Sequence, residues 1–143
     1  MGTNLTQANN ELDQLAKIIH EEVQKVEKEL VENIYNTLTG APPDGTPIDS
    51  GWASSNWMVS IGKPTSGVVP DRGSVSSMRK TSKNSLMNFL SSDLSTVSSI
   101  FVDNRVSYIN LLNDGNHSNQ SHTDFVDLAV LNARASLTRK RIR

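Results

Sequence analysis

Between about residue 7 and residue 39, apolar side chains recur at every third or fourth position: Leu12, Leu15, Ile19, Val23, Val26, Leu30, Ile34 and Leu38. That spacing gathers them on one face of an α-helix and scatters them over both faces of a strand, so the segment reads as a helix. Glu21 and Lys25 form a Glu-first i,i+4 pair on its solvent side. Gly40 followed by Pro42 and Pro43 stops it, because glycine accepts the left-handed turn after a helix and proline cannot continue one. At 1.5 Å per residue such a helix is about 50 Å long. A domain of this size does not need that length to cover one sheet, so the excess is expected to reach past the body toward a partner.

The rest of the chain is lean. Its 143 residues suit a single domain, residues 1–143, with only 36% hydrophobic content and a mean hydropathy of −0.40. A subunit whose neighbours supply part of the burial tolerates such a composition. There is no cysteine, which excludes disulfides, thiolate catalysis and cysteine-ligated zinc. Nothing at the start reads as a signal peptide, and no apolar run reaches the roughly 18 residues of a membrane span. The net charge of −1 hides an asymmetry. Residues 1–50 hold nine acids against three lysines, a net of −6, so the remainder carries +5. Arg134, Arg139, Lys140, Arg141 and Arg143 crowd the last ten positions. Opposed ends of this kind suit head-to-tail contacts between copies, or a basic arm on an acidic neighbour.

Beyond the first helix, residues 57–62 alternate as a strand does, and residues 98–102 read as a second strand with Ile100 and Val102 on one face. Between them, Lys63 to Lys83 is rich in Gly, Ser, Pro and basic residues, without apolar periodicity. Val68, Val69, Val75 and Met78 are spaced to pair across Pro70–Gly73, which predicts a long β-hairpin-like loop, mobile in the free subunit, that orders against a neighbouring subunit through Arg72, Arg79 and Lys80. Ser85 to Leu94 fits a helical turn or two. Tyr108, Ile109, Leu111 and Leu112 form a short helix closed by Gly115, and Phe125, Leu128, Ala129, Leu131, Ala135 and Leu137 mark a C-terminal helix over about 123–138. The expected fold is α+β, with the N-terminal and C-terminal helices packed on a small, mainly antiparallel β-sheet.

No reaction centre is legible. His117 and His122, with Asp114 and Asp124 beside them, lie in a Ser/Asn-rich loop without the helical spacing of a metal site, and read as surface residues, the alternative being a metal or pH-dependent contact. His20 reads as a boundary residue of the long helix. The serines lack a Gly-x-Ser-x-Gly elbow, and Gly67 to Gly73 lacks the lysine and the strand–helix context of a phosphate loop. The expectation is therefore a non-enzyme with no cofactor. Trp57 reads as core, with Trp52 packing a loop onto it or standing half-exposed as an interface anchor. Arg139-Lys140-Arg141 has no interleaved aromatics to stack bases; it reads as a solvated end, a protein-binding arm or a phosphate contact.

Two stretches stand out. In Thr46-Pro47-Ile48-Asp49-Ser50-Gly51-Trp52, Pro47 biases Thr46 toward extended backbone, Asp49 or Ser50 is placed to cap a short helical turn, and Gly51 permits a sharp turn or close approach. Ser55-Asn56-Trp57 then enters the first strand. The second stretch runs Asn104-Arg105-Val106-Ser107-Tyr108 and on through Leu112 to Gly115, followed by His117-Ser118-Asn119-Gln120. In content, order and spacing the two blocks resemble the small neck or tail-completion proteins that join head and tail in tailed bacteriophages. The resemblance covers roughly residues 46–130. It departs after Gln120, where Ser121-His122-Thr123-Asp124 replaces an Ala-Pro-x-Gly-like turn, and Asn116 is an extra residue. The resemblance implies a structural virion protein of the head–tail junction, made in the host bacterial cytoplasm and assembled as a homo-oligomeric ring, hexameric or dodecameric. It implies partners on either side, a portal, adaptor or head-completion protein and a tail-tube, terminator or sheath protein. DNA would only pass through the lumen, and no membrane is involved. The alternative reading is a small DNA-associated or regulatory oligomer that uses the basic C-terminal tail.

Overall fold

A computed structural model describes residues 2–67 and 72–142, with side chains described between residues 5 and 139. The architecture is α+β. Helix α1 spans Gly2–Thr39, α2 Trp52–Ser55, strand β1 Trp57–Ile61, α3 Val75–Leu90, β2 Ile100–Asn104, α4 Ile109–Asn113 and α5 Phe125–Ile142. The two strands pair antiparallel, with Trp57 opposite Asn104, Val59 opposite Val102 and Ile61 opposite Ile100.

Helix α1 is 38 residues long, about 57 Å at 1.5 Å per residue. Its C-terminal part supplies Val31, Ile34, Tyr35 and Leu38 to the main core, where they meet Trp57 and Val59 of β1, Leu86 and Phe89 of α3, and Phe125, Ala129 and Ala133 of α5. From Leu5 to Val23 every residue is exposed, so the helix does project from the body as its length implied. The chain then folds back on the helix end. Thr46 gives both its backbone N–H (3.1 Å) and its hydroxyl (2.7 Å) to the carbonyl of Leu38, one of the groups a helix C-terminus leaves without a partner. Gly45 is obligatory in that return, because a Cβ there would stand 2.0 Å from the carbonyl oxygen of Gly40.

The hairpin-like loop expected over 63–83 is corrected. Its second half is helix: Val75, Met78, Arg79 and Lys80 all lie on α3, which Ser74 precedes as the N-cap, its hydroxyl accepting the N–H of Ser77 at 3.2 Å. The apolar row of α3 runs Val75, Met78, Ser82, Leu86, Phe89, and Ser82 is as buried as Leu86. A buried serine in the middle of the row hides the 3.6 period. Val68, Val69 and Pro70, which the hairpin required, lie outside the described residues. The preceding segment is tied to its own domain: Thr65 donates to Asp103 Oδ1 (3.1 Å), and Arg105 donates to the carbonyls of Ser66 and Gly67.

Ser82 and Ser85 also explain how α3 covers β1. Ser85 Oγ accepts the outward N–H of Val59 (3.0 Å), and Ser82 Oγ donates to the carbonyl of Trp57. Tyr35 OH lies 2.7 Å from the same Ser82 oxygen; with that proton committed to Trp57, the phenol is the donor. The outer edge of β1 is thereby satisfied by side chains instead of a third strand.

Candidate functional site

The two sequence blocks that carry the family resemblance lie some fifty residues apart and meet face to face. Asn104 Nδ2 donates to the carbonyl of Ala53 (2.8 Å), while its Oδ1 accepts the N–H of Val106 (3.0 Å) and turns the chain out of β2. Gln120 clamps Ile48 from both sides, donating to its carbonyl at 2.9 Å and accepting its N–H at 2.8 Å. Ser121 Oγ donates to the carbonyl of Gly45, and His122 N–H to that of Pro43 (3.0 Å). Together these bonds join residues 43–53 to residues 104–122 along a cleft of about 390 Å³, with Pro47, Ile48 and Gly51 on one side and Tyr108, Leu112 and His117 on the other.

Thr46 holds the floor of this arrangement. It is fully buried, and its hydroxyl oxygen accepts the indole N–H of Trp57 at 2.8 Å while donating to Leu38. One threonine therefore ties the end of α1, the turn and the first residue of β1. Gly51 sits at φ +86° at the start of α2, a conformation that L side chains rarely adopt. Gly115 is at φ +80°, and a Cβ there would meet Thr123 Oγ1 at 2.4 Å. Both glycines of the two blocks are thus required by backbone geometry.

Other expected site residues are placed differently. Asp49 is exposed and caps nothing; the position before α2 is Gly51, and the nearest substitute is Ser50, whose Oγ accepts the N–H of Trp52 at 3.3 Å. Trp52 is not a half-exposed anchor. It is buried in a second, smaller cluster with Ala53, Val106, Val75 and Met78, apart from the core that holds Trp57. The reason is α3: its first turns supply the apolar cover that a loop would not have given. Arg72 lines the cleft and is exposed. Arg79 and Lys80 are exposed on α3, with Arg79 Nη2 about 3.3 Å from where a Gly51 Cβ would stand. Arg139 is exposed on α5; Lys140 and Arg141 belong to the same helix, their side chains lying outside the described set, and Arg143 lies outside the described residues.

His122 Nε2 lies 3.5 Å from Asp44 Oδ1, with both side chains more than half exposed, so the pair adds little to stability. Among the described residues no group of three or more His, Cys, Asp or Glu side chains converges, and no helix is long and apolar enough to cross a membrane. Sequence reasoning missed Gln120 as a clamp and Ser82 as a core residue. The only advance signal for Gln120 was its place in the second block. Comparison with known proteins found no matching family model, no matching curated protein and no matching solved structure.

Proposed function

We propose that this chain is a structural protein of a tailed-phage virion, forming an oligomeric ring at the head–tail junction as a neck or tail-completion subunit. The observation that supports this reading most is the convergence of the two blocks. The residues that resemble the family are not scattered; they interlock through Asn104–Ala53 and Gln120–Ile48 into one wall. Their roles are structural: a threonine that ties three elements, two glycines with positive φ, and side-chain amides that bond to main chain. A wall held by hydrogen bonds between distant segments suits a subunit whose task is to dock and seal. The projecting half of α1 supplies reach toward a neighbour.

The reading is tested by deleting the gene in a phage that carries it and examining the lysate. Filled heads and complete tails that fail to join, with joining restored by added protein, are the expected result. Normal virions lacking the chain would overturn it. Strong salt-dependent binding of the isolated chain to duplex DNA would favour the DNA-associated oligomer instead.

A further inference from the structure

Strand β2 leaves an open edge. Val59 turns its N–H toward Ser85, away from β2, so in the Val59–Val102 pair the N–H and carbonyl of Val102 also point outward. Neither has a hydrogen-bond partner among the described residues. Ile100 and Val102 line a groove of about 320 Å³ with Leu30 and Ile34 of α1 and Val126 and Val130 of α5, its whole lining aliphatic except for Glu27. An uncovered edge beside an apolar groove is a surface that proteins ordinarily cover, often with a helix.

The same molecule carries an unpartnered helix of matching character. Leu12, Leu15 and Ile19 are 63%, 53% and 53% exposed, and helical spacing gathers them in one stripe on the projecting half. We propose that the projecting half of α1 in one copy docks in the α1–α5–β2 groove of a second copy, with Leu12, Leu15 and Ile19 as its anchors, in the i, i+3, i+7 pattern of a helix laid in a groove.

The occupant cannot come from the same chain. The groove is built partly from residues 27–38 of α1, and the stripe lies on the straight continuation of that helix, pointing away from it. Charge selects a second copy and sets its orientation. Between residues 5 and 24, α1 carries Glu11, Asp13, Glu21 and Glu22 against Lys17; α5 carries Arg134, Arg139, Lys140 and Arg141 against Asp127. Helical spacing places Glu11 and Glu22 along one flank of the stripe, and places Arg134 in the row of Val126 and Val130 at the groove's rim. The acidic flank is favourable against α5 and unfavourable against Glu27 on the α1 wall, so it turns to the α5 side, whereas two such acidic segments side by side repel. A strand is a poorer occupant: among the described residues there are two, and the outer edge of β1 is already bonded to α3. The contact is heterologous, so each copy offers one helix and one groove, and repetition closes a ring when the rotation allows. The inference deepens the ring reading, but the contact itself belongs to the isolated chain.

The chain has no cysteine, which permits a direct test. Leu15→Cys and Val130→Cys, both at exposed positions, are made separately, mixed in equal amounts and oxidised. The expected product is a disulfide-linked dimer of one variant with the other, with neither variant dimerising alone, while the doubly substituted chain gives a ladder of linked oligomers. Dimers of Leu15→Cys alone would mean that the helices pair with each other. Dimers of Val130→Cys alone would mean that two grooves face one another. Either result, or no cross-linking in any mixture, overturns the proposal. Arg134→Glu is expected to reduce the cross-link several-fold, and Glu22→Arg in the other chain to restore it. Because the reaction runs without virions, a positive cross-link beside an absent neck ring removes only the proposed function. A neck ring without the cross-link removes only this contact.

Discussion

Thr46 shows how much one buried hydroxyl can organise. It accepts from Trp57 and donates to Leu38, so Thr46→Val, nearly the same in shape, leaves the indole N–H without its acceptor and the helix end less well satisfied. The expected cost is about 1–3 kcal/mol, read from denaturant melts. Asp49→Ala, in contrast, is expected to stay within about 0.5 kcal/mol of the parent, since the exposed carboxylate caps nothing. Gly51→Val combines a positive φ with a Cβ only 3.3 Å from Arg79 Nη2 and 3.5 Å from Val75 Cγ1, and should lose about 1–3 kcal/mol. Tyr35 gives a pH test. Burial pushes its phenol above the ordinary value of 10.0. A raised folded value means that this contribution is complete below pH 10 and is lost as pH climbs from the unfolded phenol's value through the folded one. Tyr35→Phe should therefore be less stable at neutral pH by about 1 kcal/mol, yet show a shallower decline of stability at alkaline pH. At this scale the sequence was half legible. Gly51 could be read because only glycine is at ease there, whereas of the two residues placed to cap the turn, Asp49 or Ser50, it is Ser50 that accepts an amide, that of Trp52.

Among the elements, α1, β1, α4 and α5 were legible within a few residues at most ends, because each carries an unbroken apolar pattern or a clear stop signal. Helix α3 was not. Six serines and threonines between residues 74 and 85 look like loop, and the pattern becomes helical only once Ser82 is counted as a core position. What fills that position is a hydrogen bond, Ser82 to Trp57, which no periodicity analysis can weigh. Two measurements check the helix. Ser74→Ala should cost about 1 kcal/mol as a lost N-cap. Amides from about residue 79 to residue 90 should exchange slowly in the isolated chain, because α3 belongs to the folded domain; fast exchange there, slowed only on assembly, would restore the loop reading.

For the molecule as a whole, the overhang of α1 and the opposed charge of the two ends were readable from length and composition alone, since neither depends on how the chain packs. The groove was not, because it exists only where residues from α1, β2 and α5 converge. The same limit applies to the cleft, whose two walls are joined by Asn104 and Gln120 across long separations in sequence. The cleft is a wall joined by long-range hydrogen bonds, and the projecting half of α1 is an exposed arm. The most direct test is a reconstruction of the head–tail junction in particles that contain the chain. The account predicts a closed ring of identical copies coaxial with the tail, each with its long helix against the next subunit. A single copy away from the symmetry axis, or no density for the chain at the junction, would contradict it.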